Sequence, residues 1–225
     1  MLHLDEKFQQ LSFAVEKCGA QNKEIKVIAV SKKQEEEKLL EYCRYFEEKF
    51  HSTAVLGENY LDALEKRVAW AQEQALQVEW HFLGALQSRK LKRVLELSDV
   101  LHSVCREKEL KIIAESKKNV QFFIQVNISK EANKNGLLPS ELESFLATEV
   151  FLALKGQCLG LMGVASDSSE EKVSSEFSLL KELRDRLLPG AALNMGMSGD
   201  YELALKADAQ YLRLGSYFFG ARVTS

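Results

Sequence analysis

Residues 26–32 read KVIAVSK, a short run of β-branched and apolar residues that ends in a lysine. Such a run, followed by the Glu-, Lys- and Leu-rich stretch 35–50, predicts a strand and then a helix. Side chains alternate along a strand, so Ile28, Val30 and Lys32 share one face. Lys32 is therefore expected at the carboxyl end of a column of core residues.

The same strand-then-helix pattern repeats along the rest of the chain. The predicted strands cover residues 25–31, 53–57, 78–84, 99–104, 120–128, 157–164, 191–195 and 210–215. The predicted helices between them cover residues 35–50, 60–76, 88–97, 106–118, 141–152, 169–188 and 200–207, and an amphipathic helix near 4–17 precedes them all. Eight successive βα units favour a closed parallel barrel over a doubly wound open sheet. We expect one (β/α)8 TIM barrel domain over residues 1–225, with an extra N-terminal helix.

The composition is that of an ordinary globular protein. The 225 residues are 46% hydrophobic and 28% charged, and the formal net charge of −3 gives no electrostatic reason to bind nucleic acid. The four cysteines lack the spacing of a zinc site, and a chain of this length needs no disulfide framework. The N-terminus lacks the basic start and apolar run of a signal peptide, and no apolar stretch approaches membrane-spanning length. We expect a cytoplasmic protein with no metal, membrane or nucleic-acid partner.

Unusual polar residues stand at nearly every predicted strand end, where parallel barrels bind their ligands. These candidates are Lys32, Glu58, Asn59, Tyr60, His81, Ser103, Gln125, Asn127, Met197, Ser198 and Arg213. The segments MGMSGD at 195–200 and RLGS at 213–216 add glycines and the hydroxyls of Ser198 and Ser216, after the two strands where barrels often bind phosphate. A phosphorylated ligand is therefore favoured. MGMSGD does not match GxGxxG, so a dinucleotide fingerprint is not supported.

Each candidate also has a purely structural interpretation. A strand-end lysine is usually solvated, and Lys33 beside Lys32 weakens any argument from lysine alone. A histidine such as His81, between Trp80 and Phe82, is more often a hydrogen-bonded core residue than a catalyst. The two glycine–serine segments could be simple strand-to-helix turns.

A series of motifs resembles one family throughout the chain. They are AVSK at 29–32, GENY at 57–60, WHFLGALQSRK at 80–90, HSV at 102–104, QVNISKEANKNG at 125–136, GLMG at 160–163, MGMSGD at 195–200 and RLGSYFFGAR at 213–222. In this order and spacing, from Lys26 to Arg222, the chain resembles the YggS/PROSC family of PLP-homeostasis proteins, which bind pyridoxal 5′-phosphate (PLP). The resemblance implies a barrel similar to the N-terminal domain of alanine racemase, without that enzyme's β-domain.

The resemblance also implies which residues hold PLP. Lys32 would be the Schiff-base lysine, and Arg213 would face the pyridine nitrogen. His81 and Met162 would line the pocket. The other implied contacts are Asn59 beside the cofactor and Ser198, Gly199, Gly215 and Ser216 around its phosphate. Two departures touch the rim of the site: Lys33-Gln34 follow the lysine where many members have Thr-Lys-Pro, and VCR follows strand four where an aspartate commonly precedes the arginine.

The implied function is intracellular PLP homeostasis by a monomer that holds PLP without significant turnover, so no catalytic residue is expected. PLP-dependent apo-enzymes are the protein partners that delivery of PLP would require. Two alternatives stay open: a PLP-dependent racemase-like enzyme, and a PLP-independent sugar-phosphate enzyme with Lys32 as a base. Arg213 opposes the racemase, because an unprotonated pyridine is a weaker electron sink. The sequence also stops at Ser225, directly after the eighth predicted strand, which leaves no residues for the racemase's second domain.

Overall fold

Eight parallel strands form a closed barrel in the computed structural model, which describes residues 2–20, 24–116 and 118–220. Each strand pairs with its neighbour in sequence, and the last strand pairs with the first. The strands are β1 (Lys26–Val30), β2 (Ala54–Glu58), β3 (Val78–Phe82), β4 (Val100–Val104), β5 (Gln121–Val126), β6 (Cys158–Gly163), β7 (Ala192–Met197) and β8 (Tyr211–Leu214). The predicted (β/α)8 barrel is therefore confirmed, with a strand at each of the eight predicted positions.

Helices follow the strands around the outside of the barrel, and one helix precedes them. They are α1 (Leu2–Lys17), α2 (Glu36–Phe50), α3 (Leu61–Glu73), α4 (Ser88–Leu97), α5 (Glu107–Ala114), α6 (Leu142–Leu146), α7 (Glu149–Leu154), α8 (Glu170–Leu187), α9 (Tyr201–Lys206) and α10 (Ser216–Phe219). A 3-10 turn over Lys155–Gln157 leads into β6. The extra N-terminal helix is confirmed as α1.

Three helix predictions differ from the structure. The helix predicted over 141–152 is divided into α6 and α7, because the Thr148 side chain accepts a hydrogen bond from the backbone N–H of Phe151 and begins a new helix. The helix predicted over 106–118 ends at Ala114, and part of its remainder, residue 117, lies outside the described residues. The four residues of α10 were not predicted, since one turn is too short to show helical periodicity.

Burial on both faces of the sheet explains the apolar strands. All five residues of β2 and all five of β4 are buried, as expected where helices cover the outer face and side chains fill the inside. In α4, the buried residues Leu91, Val94 and Leu95 recur at helical spacing and form the stripe that faces the sheet. Inside the barrel, Phe123 and Met162 belong to a separate small apolar cluster.

The N-terminal helix fastens the segment that follows β8. The ring of Phe8 in α1 stacks on Tyr45 of α2 at a centroid distance of 5.4 Å and lies 5.0 Å from the ring of Phe218 in α10. The hydroxyl of Tyr217 donates a hydrogen bond of 2.8 Å to the backbone carbonyl of Lys7. Helix α1 therefore holds α10, the helix that follows β8, from outside the barrel.

The described residues set limits on membrane and metal binding. Across residues 2–20, 24–116 and 118–220, no helix combines the length and apolar character needed to span a bilayer. The same stretches contain no group of three His, Cys, Asp or Glu side chains that could hold a metal ion. The four cysteines are free thiols, and burial raises the pKa of Cys43 and Cys158 to about 12.

Gly84→Ala should destabilise the protein, because a Cβ at position 84 would lie 1.9 Å from the backbone oxygen of Asn59. Relieving such overpacking costs about 1–3 kcal/mol and would displace the loop that follows β2. Gly156→Ala is the matched control, since its Cβ would meet no heavy atom within 4 Å. Urea unfolding should show a lower midpoint for Gly84→Ala only. Equal midpoints for the two variants would contradict the close approach of Gly84 to Asn59.

Candidate functional site

A cavity of about 460 Å³, called here the upper cavity, opens at the carboxyl ends of the strands. Its lining includes eight of the predicted site residues: Lys32, Asn59, Met162, Ser198, Gly199, Arg213, Gly215 and Ser216. It also includes Gln125, whose strand partner Met162 lies beside it. The structure therefore brings together residues from both ends of the sequence at the end of the barrel where ligands bind.

Lys32 reaches the upper cavity because it follows β1 on the cavity side. Val30 and Lys32 both line the cavity, whereas Lys33 is exposed and adopts a left-handed φ of 56°. The Nζ atom of Lys32 lies over the ring of Tyr60, 4.8 Å from its centroid. This contact places the lysine head group at the mouth, against an aromatic face that favours a cation.

Glu58 holds the segments that carry Lys32 and Asn59 in place. This carboxylate is the last residue of β2 and only 1% exposed. Its Oε2 accepts a hydrogen bond of 3.1 Å from the Ser31 hydroxyl, and its Oε1 accepts one of 2.7 Å from the backbone N–H of Asn59. Among the sequence candidates, Glu58 thus lies outside the cavity lining, where it binds Asn59 and also Ser31, the residue before Lys32.

The two glycine–serine segments meet at one side of the cavity. The Oγ atom of Ser198 accepts a hydrogen bond of 3.1 Å from the backbone N–H of Tyr217, which joins the segment after β7 to the segment after β8. Gly215 lies so close to β1 that a Cβ there would be 3.3 Å from the Val30 Cβ. The hydroxyls of Ser198 and Ser216 and the small glycines give this side the character of an anion site.

Arg213 supplies a buried positive charge at the floor of the cavity. Its side chain donates to the backbone carbonyl of Asn194 at 3.0 Å, to the Asn194 side-chain oxygen, and to the Gly163 carbonyl at 2.9 Å. These acceptors are neutral, and in the described part of the chain no carboxylate forms an ion pair with Arg213. Burial lowers the pKa of Arg213 to about 10, so the guanidinium stays charged at neutral pH.

The prediction that His81 lines the pocket is corrected by the structure. His81 pairs with Val100 across β3 and β4, so His102 lies further toward the carboxyl ends of the strands. It is His102 that lines the cavity, while His81 is fully buried beneath it, with its Nδ1 2.7 Å from the Nε2 of His102. The offset between neighbouring barrel strands puts a residue of the next strand above the expected one.

Sequence reasoning missed two polar residues of the cavity wall. His102 stood within the quoted HSV motif, and its strand-end position was the available signal. Gln34 also lines the cavity, where it follows a turn closed by a hydrogen bond of 3.1 Å from its N–H to the Ser31 carbonyl. The sequence gives no comparable signal for Gln34, which is an amide within a charged loop.

Two other strand-end candidates serve the loops around the site. The Asn127 amide nitrogen donates hydrogen bonds to the backbone carbonyls of Glu131 and Lys134, at 2.9 and 3.2 Å. The Ser103 hydroxyl donates to the backbone carbonyl of Gly84. Both side chains therefore fix loop geometry at the mouth of the barrel.

A second cavity, the lower cavity, of about 650 Å³ opens at the amino ends of the strands, between the barrel and helices α1 and α2. Its polar lining includes Lys26 and Glu79, whose side chains form an ion pair of 2.8 Å. Because Lys26 and Glu79 pair with each other, and because barrels place their ligand sites at the carboxyl end, the smaller upper cavity is the better candidate site.

Comparison with known proteins identifies the family. No protein-family model matches the chain. A pyridoxal phosphate homeostasis protein of Vibrio cholerae is 33% identical over 225 residues, covering 95% of this chain and 92% of the relative. One of Schizosaccharomyces pombe is 33% identical over 220 residues, covering 92% and 88%. This chain belongs to the pyridoxal phosphate homeostasis protein family. The resemblance to YggS/PROSC proteins is thus confirmed.

Solved structures agree with this family and with the barrel. PipY of Synechococcus elongatus, solved without PLP, has a TM-score of 0.73 and 26% identity, covering 88% of this chain and 93% of that chain. The same protein with PLP bound gives a TM-score of 0.68 and 25% identity over 92% and 100%. Alanine racemase of Clostridium difficile shares the fold alone, at 12% identity and a TM-score of 0.65, and this chain covers 57% of it.

Proposed function

We propose that this member of the pyridoxal phosphate homeostasis family binds PLP in the upper cavity and takes part in intracellular PLP homeostasis. The observation that carries the proposal is the convergence, in one cavity, of a lysine amine, two glycine–serine segments and a buried arginine without a carboxylate partner among the described residues. The PLP-bound PipY structure, which is similar over almost the whole chain, supports the same ligand.

The chemistry of the cavity fits PLP. A volume of about 460 Å³ lies in the usual range for small-molecule sites, roughly 300–1,000 Å³. PLP supplies an aldehyde that condenses with an amine, a phosphate dianion and an electron-rich pyridine nitrogen. The amine of Lys32 matches the aldehyde. The hydroxyl donors of Ser198 and Ser216 match the phosphate, and the guanidinium of Arg213 matches the pyridine nitrogen. A buried cation whose protein partners are neutral is suited to a ligand of this polarity.

Lys32 is the proposed Schiff-base residue. It is half-buried, it lines the cavity, and its Nζ atom is held near the ring of Tyr60. Lys33 is exposed and has a left-handed backbone φ. Of the two adjacent lysines, only Lys32 contributes to the cavity wall.

The proposed contacts divide the other predicted residues into four groups. Ser198, Gly199, Gly215 and Ser216 hold the phosphate. Asn59 and Met162 lie beside the cofactor, and Arg213 faces the pyridine nitrogen. His81 lies one layer below the cavity and contributes to the site through its hydrogen bond with His102, which lines the cavity.

We further propose that the protein holds PLP without significant turnover. The Vibrio and Schizosaccharomyces relatives are named as homeostasis proteins, not as enzymes. A guanidinium at the pyridine nitrogen disfavours its protonation, which weakens the cofactor as an electron sink for carbanion chemistry. The geometry around Arg213 therefore favours binding and release.

The cellular setting is proposed on the same basis. The lining residues belong to a single barrel, and we propose that the protein is a monomer with one domain over residues 1–225. We propose that the protein acts in the cytoplasm and that PLP-dependent apo-enzymes are the acceptors of the PLP it releases.

Lys32→Ala should abolish the absorbance near the visible edge that PLP-loaded protein shows, while leaving the fold intact. The reason is that only Lys32 of the adjacent pair reaches the cavity. Lys33→Ala is the matched control and should keep the absorbance. Borohydride reduction followed by peptide mass analysis should place the added mass on Lys32. An adduct on Lys33 would show that the assignment of the lysine is wrong.

Pyridoxal, which lacks the phosphate, should bind far more weakly than PLP. Each charge-assisted hydrogen bond contributes about 1.5–3 kcal/mol, so losing several should weaken binding at least about a hundredfold. Titration of the purified protein with the two vitamers gives the ratio of dissociation constants. Equal affinities would refute the assignment of the glycine–serine segments to the phosphate.

PLP-loaded protein should not exchange the α-hydrogen of alanine or other amino acids for deuterium at a useful rate. The physical reason is the weak electron sink expected beside Arg213. Proton NMR in deuterated buffer measures this exchange directly. Rapid exchange that disappears in Lys32→Ala would favour the racemase-like alternative, with Tyr60 as the nearby candidate acid or base.

A further inference from the structure

A continuous chain of hydrogen bonds crosses the barrel interior between the two cavities. Its members, in order from the upper to the lower cavity, are Arg213, Asn194, His102, His81 and Glu79. The Asn194 amide nitrogen is 2.5 Å from the His102 Nδ1, and the His81 Nε2 is 2.8 Å from the Glu79 Oε1. Asn194 and both histidines are fully buried, so water does not share these bonds. The cofactor site proposed above and the lower cavity are thus physically connected.

The two ends of this hydrogen-bond chain impose the same direction on every bond, because Arg213 only donates and the Glu79 carboxylate only accepts. A guanidinium can only donate, so the Asn194 side-chain oxygen must face Arg213 and its NH₂ group must face His102. His102 therefore accepts at Nδ1 and carries its hydrogen on Nε2, which donates to the Nδ1 of His81. His81 in turn carries its hydrogen on Nε2 and donates to the Glu79 carboxylate. Glu79 is the terminal acceptor.

This direction requires both histidines to be neutral. A second hydrogen on His102 would point at the Asn194 NH₂ group, and a second hydrogen on His81 would point at the His102 N–H. Burial acts in the same sense and lowers the pKa of both imidazoles. The nearby cation of Arg213 lowers the pKa of His102 further. Within this hydrogen-bond chain, Arg213 therefore carries a charge at the upper end, and the Asn194, His102 and His81 side chains that follow it are neutral.

Glu79 is held at the far end by a second donor. Lys26 Nζ lies 2.8 Å from each carboxylate oxygen of Glu79. Although burial alone would raise the pKa of Glu79, the hydrogen bonds from His81 and Lys26 lower it to about 2. The terminal acceptor consequently stays ionised throughout the neutral range.

We propose that Glu79 is a positioning residue for Arg213: as the terminal acceptor at the lower cavity, it fixes the hydrogen-bond direction that orients the guanidinium in the upper cavity. The proposal rests on the proposed function in one respect, that Arg213 faces the bound cofactor. Glu79 itself lies on the opposite side of the barrel and lines the lower cavity.

The sharpest perturbation of the hydrogen-bond chain removes its terminal acceptor. That holds for Glu79→Met, which keeps a side chain of similar length but removes both acceptor oxygens, and not for Glu79→Gln. In Glu79→Met the buried His81 N–H loses its acceptor, which is costly. Relief requires the His81 ring to shift or its hydrogen to move to Nδ1, where it meets the His102 N–H, so the mismatch passes upward until Arg213 blocks it.

A conservative substitution should preserve the hydrogen-bond chain. In Glu79→Gln the amide oxygen can take the place of Oε1, which lies 2.8 Å from both the His81 Nε2 and the Lys26 Nζ. Lys26→Met should also leave the hydrogen-bond chain intact, because the carboxylate still accepts from His81. Glu24→Gln removes an exposed carboxylate from the same cavity without changing the hydrogen-bond chain and controls for charge.

The experiment combines nitrogen NMR of the PLP-free variants with PLP titration. In the wild-type protein both histidines should be neutral with hydrogen on Nε2, and the Arg213 N–H groups should exchange slowly. Glu79→Met should speed that exchange and weaken PLP binding, each by about tenfold, the effect of one weakened hydrogen bond to a charged group. Wild-type values should persist in Glu79→Gln, Lys26→Met and Glu24→Gln.

Three results would overturn the proposal: hydrogen on Nδ1 of either histidine in the wild-type protein, the same Arg213 exchange and PLP affinity in Glu79→Met as in Glu24→Gln, or the same losses in Glu79→Gln as in Glu79→Met. The wild-type tautomers decide the direction of the hydrogen-bond chain even if Glu79→Met does not fold. Failure of the wild-type protein to bind PLP would instead refute the proposed function, while the tautomers and the Arg213 exchange would still judge the role of Glu79.

Discussion

The parallel pairing of β1 with β8 is the constraint on which the site depends. Ile28 lies opposite Arg213 and Ala29 opposite Leu214, so the first and last strands of the chain run side by side to the mouth of the barrel. This pairing brings Lys32 into one cavity with Gly215 and Ser216. A doubly wound open sheet with the same elements would leave these two strands apart. Closure of the barrel is thus what converts separate motifs into a single site.

The second constraint is the burial of charge inside that closed barrel. An arginine removed from water without an ion-pair partner is costly unless each N–H finds an acceptor. Asn194 and Gly163 supply neutral acceptors and leave the positive charge uncancelled. A carboxylate at the same place would have neutralised the field that the cavity presents to a ligand. Neutral acceptors therefore keep the binding surface polarised.

Much of this arrangement can be predicted from the sequence, because the relevant signals are local. The apolar runs and the intervening helices locate the barrel, and strand alternation selects Lys32 over Lys33. The placement of His81 could not be predicted, since it depends on the offset between β3 and β4, a relation between strands distant in sequence. The contact between Arg213 and Asn194 is hidden for the same reason, because the register shifts between β7 and β8. The capping role of Thr148 was overlooked within a stretch of good helix formers.

The attachment of α1 to the segment after β8 has a thermodynamic consequence. Tyr217 donates to the carbonyl of Lys7 through its hydroxyl and to Ser198 through its backbone, so one residue joins the first helix to the wall of the upper cavity. Any effect that occupancy of that wall has on docking of the helix must be matched by an equal effect of helix docking on occupancy. Hydrogen-exchange protection of α1 amides, far from the ligand, is the observable in which such a coupling would register.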